Sequence, residues 1–382
     1  MTTNIIAAAV LLLLFYYVFF LFAIYRGLKK LISQSSHESY DIIPEEFVSL
    51  IIPFRNESEN ILNSLSSIIN LEYPSEKLEV IFVNDFSDDN SVELLCMAEK
   101  PANIRVLSVP DDYSQFQHKK RAIRYGIENS QGEIIVTTDA DCIHSPLWLR
   151  TLLSRFDEET GFISGPVEFT DGPTLFSSMQ KLEFSGLVLT GAGLIGIGDP
   201  LICNAANIAY RRKAFEETGG FYYKHSLSSG DDELLMQKIK KQTSYKIRFC
   251  MNKEAIVQTA PNNNLNQFYN QRKRWASKGL FYSDRLLVLK LILIFLFYLS
   301  LPVQVILGIT LSPLFLLTLI LSFSVKVLME FLILRTGAKK LFSLKILRPF
   351  IPAEILHIPY ILIAGISGIF GNYLWKDRKI KR

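Results

Sequence analysis

Residues 5–24 form an apolar run without a single charged side chain, and no other feature restricts the fold of this chain as much. The run has about the ~20 residues a helix needs to cross bilayer hydrocarbon, where only helices and closed barrels satisfy every backbone polar group. A secretory signal peptide is the alternative. That reading lacks basic residues before the run and a small-residue cleavage site after it, and the run is too long for it. The segment therefore reads as an anchor. Arg26, Lys29 and Lys30 follow at once, and basic residues mark the cytoplasmic flank of a span, so the chain is expected to continue in the cytoplasm.

Apolar density returns after residue 284. Residues 286–309 are one candidate span, with Lys290 near its start, where a long side chain can snorkel to the interface. Residues 314–334 are a second, and Lys326 and Glu330 within it stand four apart and can pair on a helix. A third stretch, 350–370, contains Pro352, Glu354, His357 and Pro359. If all four stretches crossed, the basic tail (Lys376, Arg378, Lys379, Lys381, Arg382) would lie opposite the basic loop around Arg335, Lys339, Lys340, Lys345 and Arg348, against the charge rule. The expectation is three true spans, a third C-terminal stretch that is re-entrant or interfacial, and a cytoplasmic tail. On this division, residues 1–30 are the anchor, 40–284 a cytoplasmic domain and 285–382 a C-terminal membrane region. The whole is expected to be an integral protein of a bacterial inner membrane.

Between the apolar segments the pattern changes to short β-branched runs (47–53, 78–84 and 133–138) separated by amphipathic stretches (57–70, 89–99 and 117–129). Repeated strand–helix alternation implies an α/β domain with a mostly parallel, Rossmann-like sheet. Ligands of such sheets bind beyond the carboxyl ends of the strands. Cys96, Cys142, Cys203 and Cys250 stand singly, which argues against a disulfide framework or a zinc site and fits a reducing compartment. A net charge of +4, without a broad basic stripe, gives no footing for nucleic acid.

The strand ends are acidic. Asp139 and Asp141 follow the run 133–138 as Asp-x-Asp. In an extended chain residues i and i+2 face one side, so both carboxylates aim at one point. Close carboxylates repel unless a cation lies between them, and Mg2+ or Mn2+ carrying phosphate and water needs only one or two. An acidic turn is the plain alternative. The segments 53–57 (PFRNE) and 84–88 (NDFSD) close the first two runs and bring further carboxylates to the same edge. Asp231, Asp232 and Glu233 precede an amphipathic segment, 234–239. They favour a helix N-terminus there, and an aspartate so placed beside a bound sugar can act as a general base. Finally, Asn264 can cap a helix running to about residue 279, on which Gln271, Arg274 and Trp275 share one face. Arg272 and Lys273, by contrast, suit contact with lipid headgroups.

Taken in order, these segments resemble the inverting family 2 glycosyltransferases of GT-A fold. The family's P-x-x-N-E is matched by Pro53 to Glu57, and its D-D-x-S-x-D by Asp85, Ser87 and Asp88 with Asn84 in first place. Its lysine is matched by Lys119, its D-x-D by Asp139 and Asp141, and its acceptor-side E-D by Asp231 and Asp232. The Q-x-x-R-W of cellulose, hyaluronan and ceramide glucosyl transferases is matched by Gln271, Arg274 and Trp275. The resemblance implies that Pro53, Glu57 and Asp85 line the nucleotide site, and that Lys119 meets the diphosphate. Asp139 and Asp141 flank the sugar-diphosphate with the metal, Asp141 as direct ligand. Asp232 is the base, with Asp231, Gln271, Arg274 and Trp275 around diphosphate and acceptor. Asn207, in the segment CNAAN, resembles the family's donor lining. Asn84 removes one carboxylate, and Asp231 is a shorter arm than the usual Glu.

The implied activity is transfer of a sugar from a nucleotide-sugar, expected to be a UDP-sugar, to a lipid or lipid-linked saccharide at the membrane. A processive polysaccharide synthase is the alternative that the intact Q-x-x-R-W keeps open, although such synthases carry more spans. A sugar nucleotidyltransferase would need a glycine-rich basic loop where Phe54 to Glu57 stand, and a non-catalytic scaffold has no use for a metal pair and a base together. The glycine-rich stretch 186–198 reads equally as a loop or as an interfacial segment.

Overall fold

The computed structural model describes residues 2–35, 44–113, 118–222, 232–276, 282, 284–370, 373–375 and 378–380. The chain opens with helix α1 (Thr2–Ser35), then enters the α/β domain through β1 (Val48–Phe54), α2 (Ile61–Ile69), β2 (Leu78–Asn84), α3 (Ser91–Met97), β3 (Ile104–Ser108), α4 (Lys119–Glu128) and β4 (Ile134–Thr137). The expected strands and helices stand where the periodicity puts them, with one addition. The edge strand β3 makes the Asp-x-Asp strand the fourth in chain order. Elements β5 (Ile143–His144), α5 (Trp148–Leu153), β6 (Thr160–Ser164), β7 (Val167–Phe169), α6 (Leu175–Gly196), β8 (Ile208–Arg211), α7 (Arg212–Glu217), α8 (Glu233–Gln242), β9 (Lys246–Phe249) and β10 (Val257–Thr259) complete the domain. Then follow α9 (Leu265–Ala276), α10 (Arg285–Thr310), α11 (Leu314–Lys340) and α12 (Phe350–Phe370).

The main sheet runs β3-β2-β1-β4-β8-β6-β9. Strand β1 pairs in parallel with β2, Val48 opposite Leu78, and with β4, Val48 opposite Ile134, whereas β8 is antiparallel to β4 and to β6. Strand β1 is buried along its whole length, as expected of a strand covered on both faces. Its alternate residues feed two cores: Leu50 and Ile52 join α2 and α5, while Ile51 joins a core that continues into α1, α6, α10 and α11. The α/β domain is thereby seated directly on the apolar helices. Chain order reverses between β1 and β4, and a crevice opens there above the carboxyl ends.

Among the described residues, four helices are long and apolar enough to cross a membrane: Thr2–Ser35, Arg285–Thr310, Leu314–Lys340 and Phe350–Gly368. The first three pack side by side. Tyr17 of α1 stacks on Phe297 of α10, ring centroids 4.0 Å apart, and donates to Glu330 of α11 at 2.5 Å. Lys326 and Glu330 do pair, at 3.1 Å, and Lys326 also bonds Glu354 of α12. Glu330 and Glu354 lie close to His357 as well, and Lys326 supplies a cation to both carboxylates.

Helix α12 packs differently. His357 meets Tyr298 of α10, and Gly365 lies against the ring of Phe295. The further half of α12 rests on α9, with Tyr360 beside Phe268 and Ser367 bonded to Tyr269. The glycine-rich stretch is helical and not a loop. Gly186, Gly191, Gly193 and Gly196 belong to α6, and Gly193 and Gly196 meet Ile24 and Gly27 of α1 backbone to backbone.

Candidate active site

The loops beyond β1, β2 and β4 converge on a cavity of about 1160 Å³ at the crevice, lined by Pro53, Glu57, Asp85, Lys119, Asp139 and Asp141. Asn56 and Phe86, in the loops beyond β1 and β2, and His118, at the start of α4, take φ values of 51°, 60° and 56°. Backbone in that region is costly for residues other than glycine and clusters at functional sites. The first two loops are stitched together: burial pushes the Asp89 carboxyl up, but hydrogen bonds from the Ser91 hydroxyl and from the backbone N–H groups of Ser91 and Ser58, the latter two at 3.0 Å, bring it down to about 2.

Asp85 is nearly buried and accepts at Oδ1 from Nε and Nη2 of Arg121, at 2.9 and 2.6 Å. Arg55 donates to the carbonyl of Asp85 at 3.0 Å, and Arg121 lies over the Phe86 ring at 4.4 Å. Neither arginine carries a motif signal; they are found only once β1, β2 and α4 meet. Asn84 turns away from the cavity into a local turn, accepting from the N–H of Ser87 at 2.8 Å. Its departure from the family pattern therefore builds the loop and takes no carboxylate from the cavity.

At the end of β4, Lys119 forms an ion pair with Asp139, and Asp141 is exposed to the cavity, where Thr259 of β10 donates to it at 3.4 Å. Cys142, just behind, has its thiol pushed well up, first by burial and then by the negative field of Asp141 and Asp139. The paired carboxylates Asp139 and Asp141, with Lys119 beside them, are a donor set that suits a hard divalent cation carrying phosphate oxygens.

Asp232 lines the same cavity as the N-cap of α8. It is 8% exposed, and its two oxygens accept from the N–H of Glu233 at 2.7 Å and of Ala205 at 3.0 Å. Neighbouring Glu233 accepts from Tyr282 at 2.8 Å. Asp231 lies outside the described residues. Asn264 caps α9 as expected, accepting from the N–H of Gln267 at 2.9 Å, and Gln271, Arg274 and Trp275 all line the cavity. Gln271 accepts from Asn262 at 2.9 Å, and Trp275 stacks on Phe184 of α6, centroids 5.9 Å apart.

Two expectations are corrected. Asn207 is fully buried and does not line the cavity. Its Oδ1 accepts from the Trp148 indole at 3.0 Å, and its Nδ2 donates to the carbonyls of Pro166 and Ala255, at 2.7 and 2.8 Å. It is a crosslink under the sheet. Arg272 does not face headgroups. It is 2% exposed, ion-paired with Glu183 of α6, and lies over the rings of Trp275 at 4.3 Å and Phe268 at 4.5 Å.

Residues 49–219 match the family described as Glycosyl transferase family 2. Glycosyltransferase AglE of Haloferax volcanii is 30% identical over 195 residues, covering 48% of this chain and 59% of that protein. The poly-β-1,6-N-acetyl-D-glucosamine synthase of Staphylococcus epidermidis is 24% identical over 163 residues, covering 42% of this chain and 37% of the synthase. The chain thus spans less than two thirds of the length of these relatives. Among solved structures, mannosyltransferase PcManGT of Pyrobaculum calidifontis, in complex with GDP-Man and Mn2+, superposes with a TM-score of 0.54 at 20% identity, covering 94% of this chain and 98% of that one. The architecture is that of a GT-A domain flanked by apolar helices, and residues 49–219 within that domain carry the match to glycosyltransferase family 2.

Proposed function

We propose that this protein is a membrane-bound inverting glycosyltransferase that moves a sugar from a nucleotide-sugar to a lipid or lipid-linked saccharide. One observation carries the reading. A single cavity gathers Glu57, Asp85, Lys119, Asp139 and Asp141 with Asp232, Gln271, Arg274 and Trp275, and Leu291, Ile294 and Ile361 of the apolar helices also line it. Glu57 and Asp85 accept from the nucleoside, Asp85 oriented by Arg121. Lys119 and Arg274 meet the negative charge of the diphosphate, the arginine through its forked donors. Trp275 offers a flat surface to the acceptor. Asp141 and Asp139 hold Mg2+ or Mn2+, and the Mn2+ in the complex of the mannosyltransferase of like fold supports this. Bound there, the ion acts as a Lewis acid toward the leaving group.

Asp232 removes the proton of the acceptor hydroxyl while that oxygen attacks the anomeric carbon opposite the diphosphate. One displacement inverts the configuration. The backbone N–H groups of Glu233 and Ala205 fix the carboxylate for this step. Asp232→Asn in the purified protein is expected to lower transfer by roughly 10²–10⁴-fold with nucleotide-sugar binding retained, and EDTA is expected to stop transfer. Near-normal turnover of the variant removes Asp232 from the role of base; full activity without divalent metal removes the metal from Asp139 and Asp141. A screen of UDP- and GDP-sugars identifies the donor. The likeness to a polysaccharide synthase favours a second reading, processive synthesis, which a high-mass product would reveal. With α1, α10 and α11 as the crossing helices, the domain lies in the cytoplasm of a bacterial cell, against its inner membrane.

A further inference from the structure

A second cavity, of about 540 Å³, lies among α1, α6, α9, α10, α11 and α12. This is within the ~300–1,000 Å³ of ordinary ligand pockets. Its walls are mainly apolar, with Phe20, Met179, Leu194, Ile333 and Leu334 among them. It adjoins the first cavity: Leu187, Ile202, Leu291, Ile294, Tyr360 and Ile361 line both. Tyr282 also lines both, and its hydroxyl bonds Glu233, the residue next to Asp232. The apolar cavity therefore reaches the neighbourhood of Asp232 through one layer of side chains.

The polar groups on its wall are directed at one another. Tyr17 and Tyr298 donate to Glu330 at 2.5 and 3.2 Å, while Lys326 bonds Glu330 and Glu354. Tyr360 donates to Glu183 at 3.1 Å. Rings and aliphatic surface remain for an occupant. Apolar cavities hold water poorly, and a saccharide would lose its hydration there without matching partners. A hydrocarbon chain loses nothing.

We propose that this cavity seats a hydrocarbon chain of the acceptor, a lipid with a free hydroxyl on its head, and so presents that hydroxyl to Asp232. The inference rests on the lipid-acceptor reading above. A chain leaving the bilayer exchanges one apolar surrounding for another, so the cavity selects by length and shape more than by affinity.

The probe is a hexadecyl glucoside with a diazirine at its chain end, irradiated with the full-length protein in nanodiscs and mapped by mass spectrometry. Labelling is expected on α6, α10 and α11 residues that line the cavity. Gly186 lines it too, and a Cβ there meets only Leu334 Cδ2 at 3.6 Å. Gly186→Leu should cut the labelling about tenfold, the scale on which a few methylenes discriminate in an apolar pocket, whereas Gly186→Ala should not. Thr190→Leu, which fills the same space, serves if the first variant melts at a lower temperature than Gly186→Ala. Labelling confined to the outward-facing Leu12, Phe15 and Leu317, or undiminished in a filled variant of normal melting temperature, overturns the proposal. The acceptor reading has a separate readout in the product: a polymer free of lipid overturns that reading whatever the crosslinks show.

Discussion

Arg272 organises α9 from inside the Gln271–Trp275 motif. Its guanidinium bonds Glu183 and the Gln271 side chain and lies over the Trp275 ring, so the motif face is held from behind by α6. Arg272→Ala would leave the Glu183 carboxylate without its cation, at a cost of about 3–5 kcal/mol. Arg272→Lys keeps the charge but loses the fork and the plane that stacks. Transfer by the lysine variant is expected to fall at least as steeply as its melting temperature, since Gln271 and Trp275 both lose a contact. Wild-type turnover in Arg272→Lys would show that the stack has no part in the site. The sequence made Asp139 and Asp141 readable because their spacing alone puts two carboxylates on one side of an extended chain. It could not assign Asn207 or Arg272. One is buried by partners 41, 48 and 59 residues away and the other by a glutamate 89 residues away, and neither separation leaves a local pattern.

The junction of α1 and α6 shows the same limit for whole elements. Strands β1, β2 and β4 are legible because they are buried along their length and read as mostly apolar, β-branched runs. Edge strand β3 is half exposed, with Arg105 within it, and gives no such run. Helix α6 misleads because its glycines look like a loop, yet they are where two helices approach backbone to backbone, as small residues permit. A Cβ on Gly27 would stand 1.8 Å from the Gly193 carbonyl oxygen. Gly27→Ala must therefore push α1 off α6, and overpacking of this kind costs typically about 1–3 kcal/mol. The expected result is a lower melting temperature and faster proteolysis between α1 and β1 than in Gly186→Ala, where there is room for the methyl. Equal stability of the two variants would mean that α1 docks independently of α6.

For the molecule as a whole, the question is where the last helix leaves the tail. Helices α10 and α11 form an antiparallel pair joined by a short connection after Thr310, which returns the chain to the side of the α/β domain. Helix α12 then either crosses or stays. By length and apolarity it can cross, yet its further half also rests on α9, Tyr360 beside Phe268 and Ser367 bonded to Tyr269. Its polar residues, which argued from the sequence against a span, are accommodated: Glu354 bonds Lys326, and His357 lies near Glu330. If α12 stays, both basic segments share one face and the charge rule is obeyed throughout. Cys96 is the exposed one of the four cysteines and reports the domain's side. A membrane-impermeant maleimide should label Cys96 and a cysteine added after Arg382 in inside-out vesicles alone, and a Ser312→Cys variant at position 312 in intact cells. Labelling of the added C-terminal cysteine in intact cells would instead make α12 a fourth span.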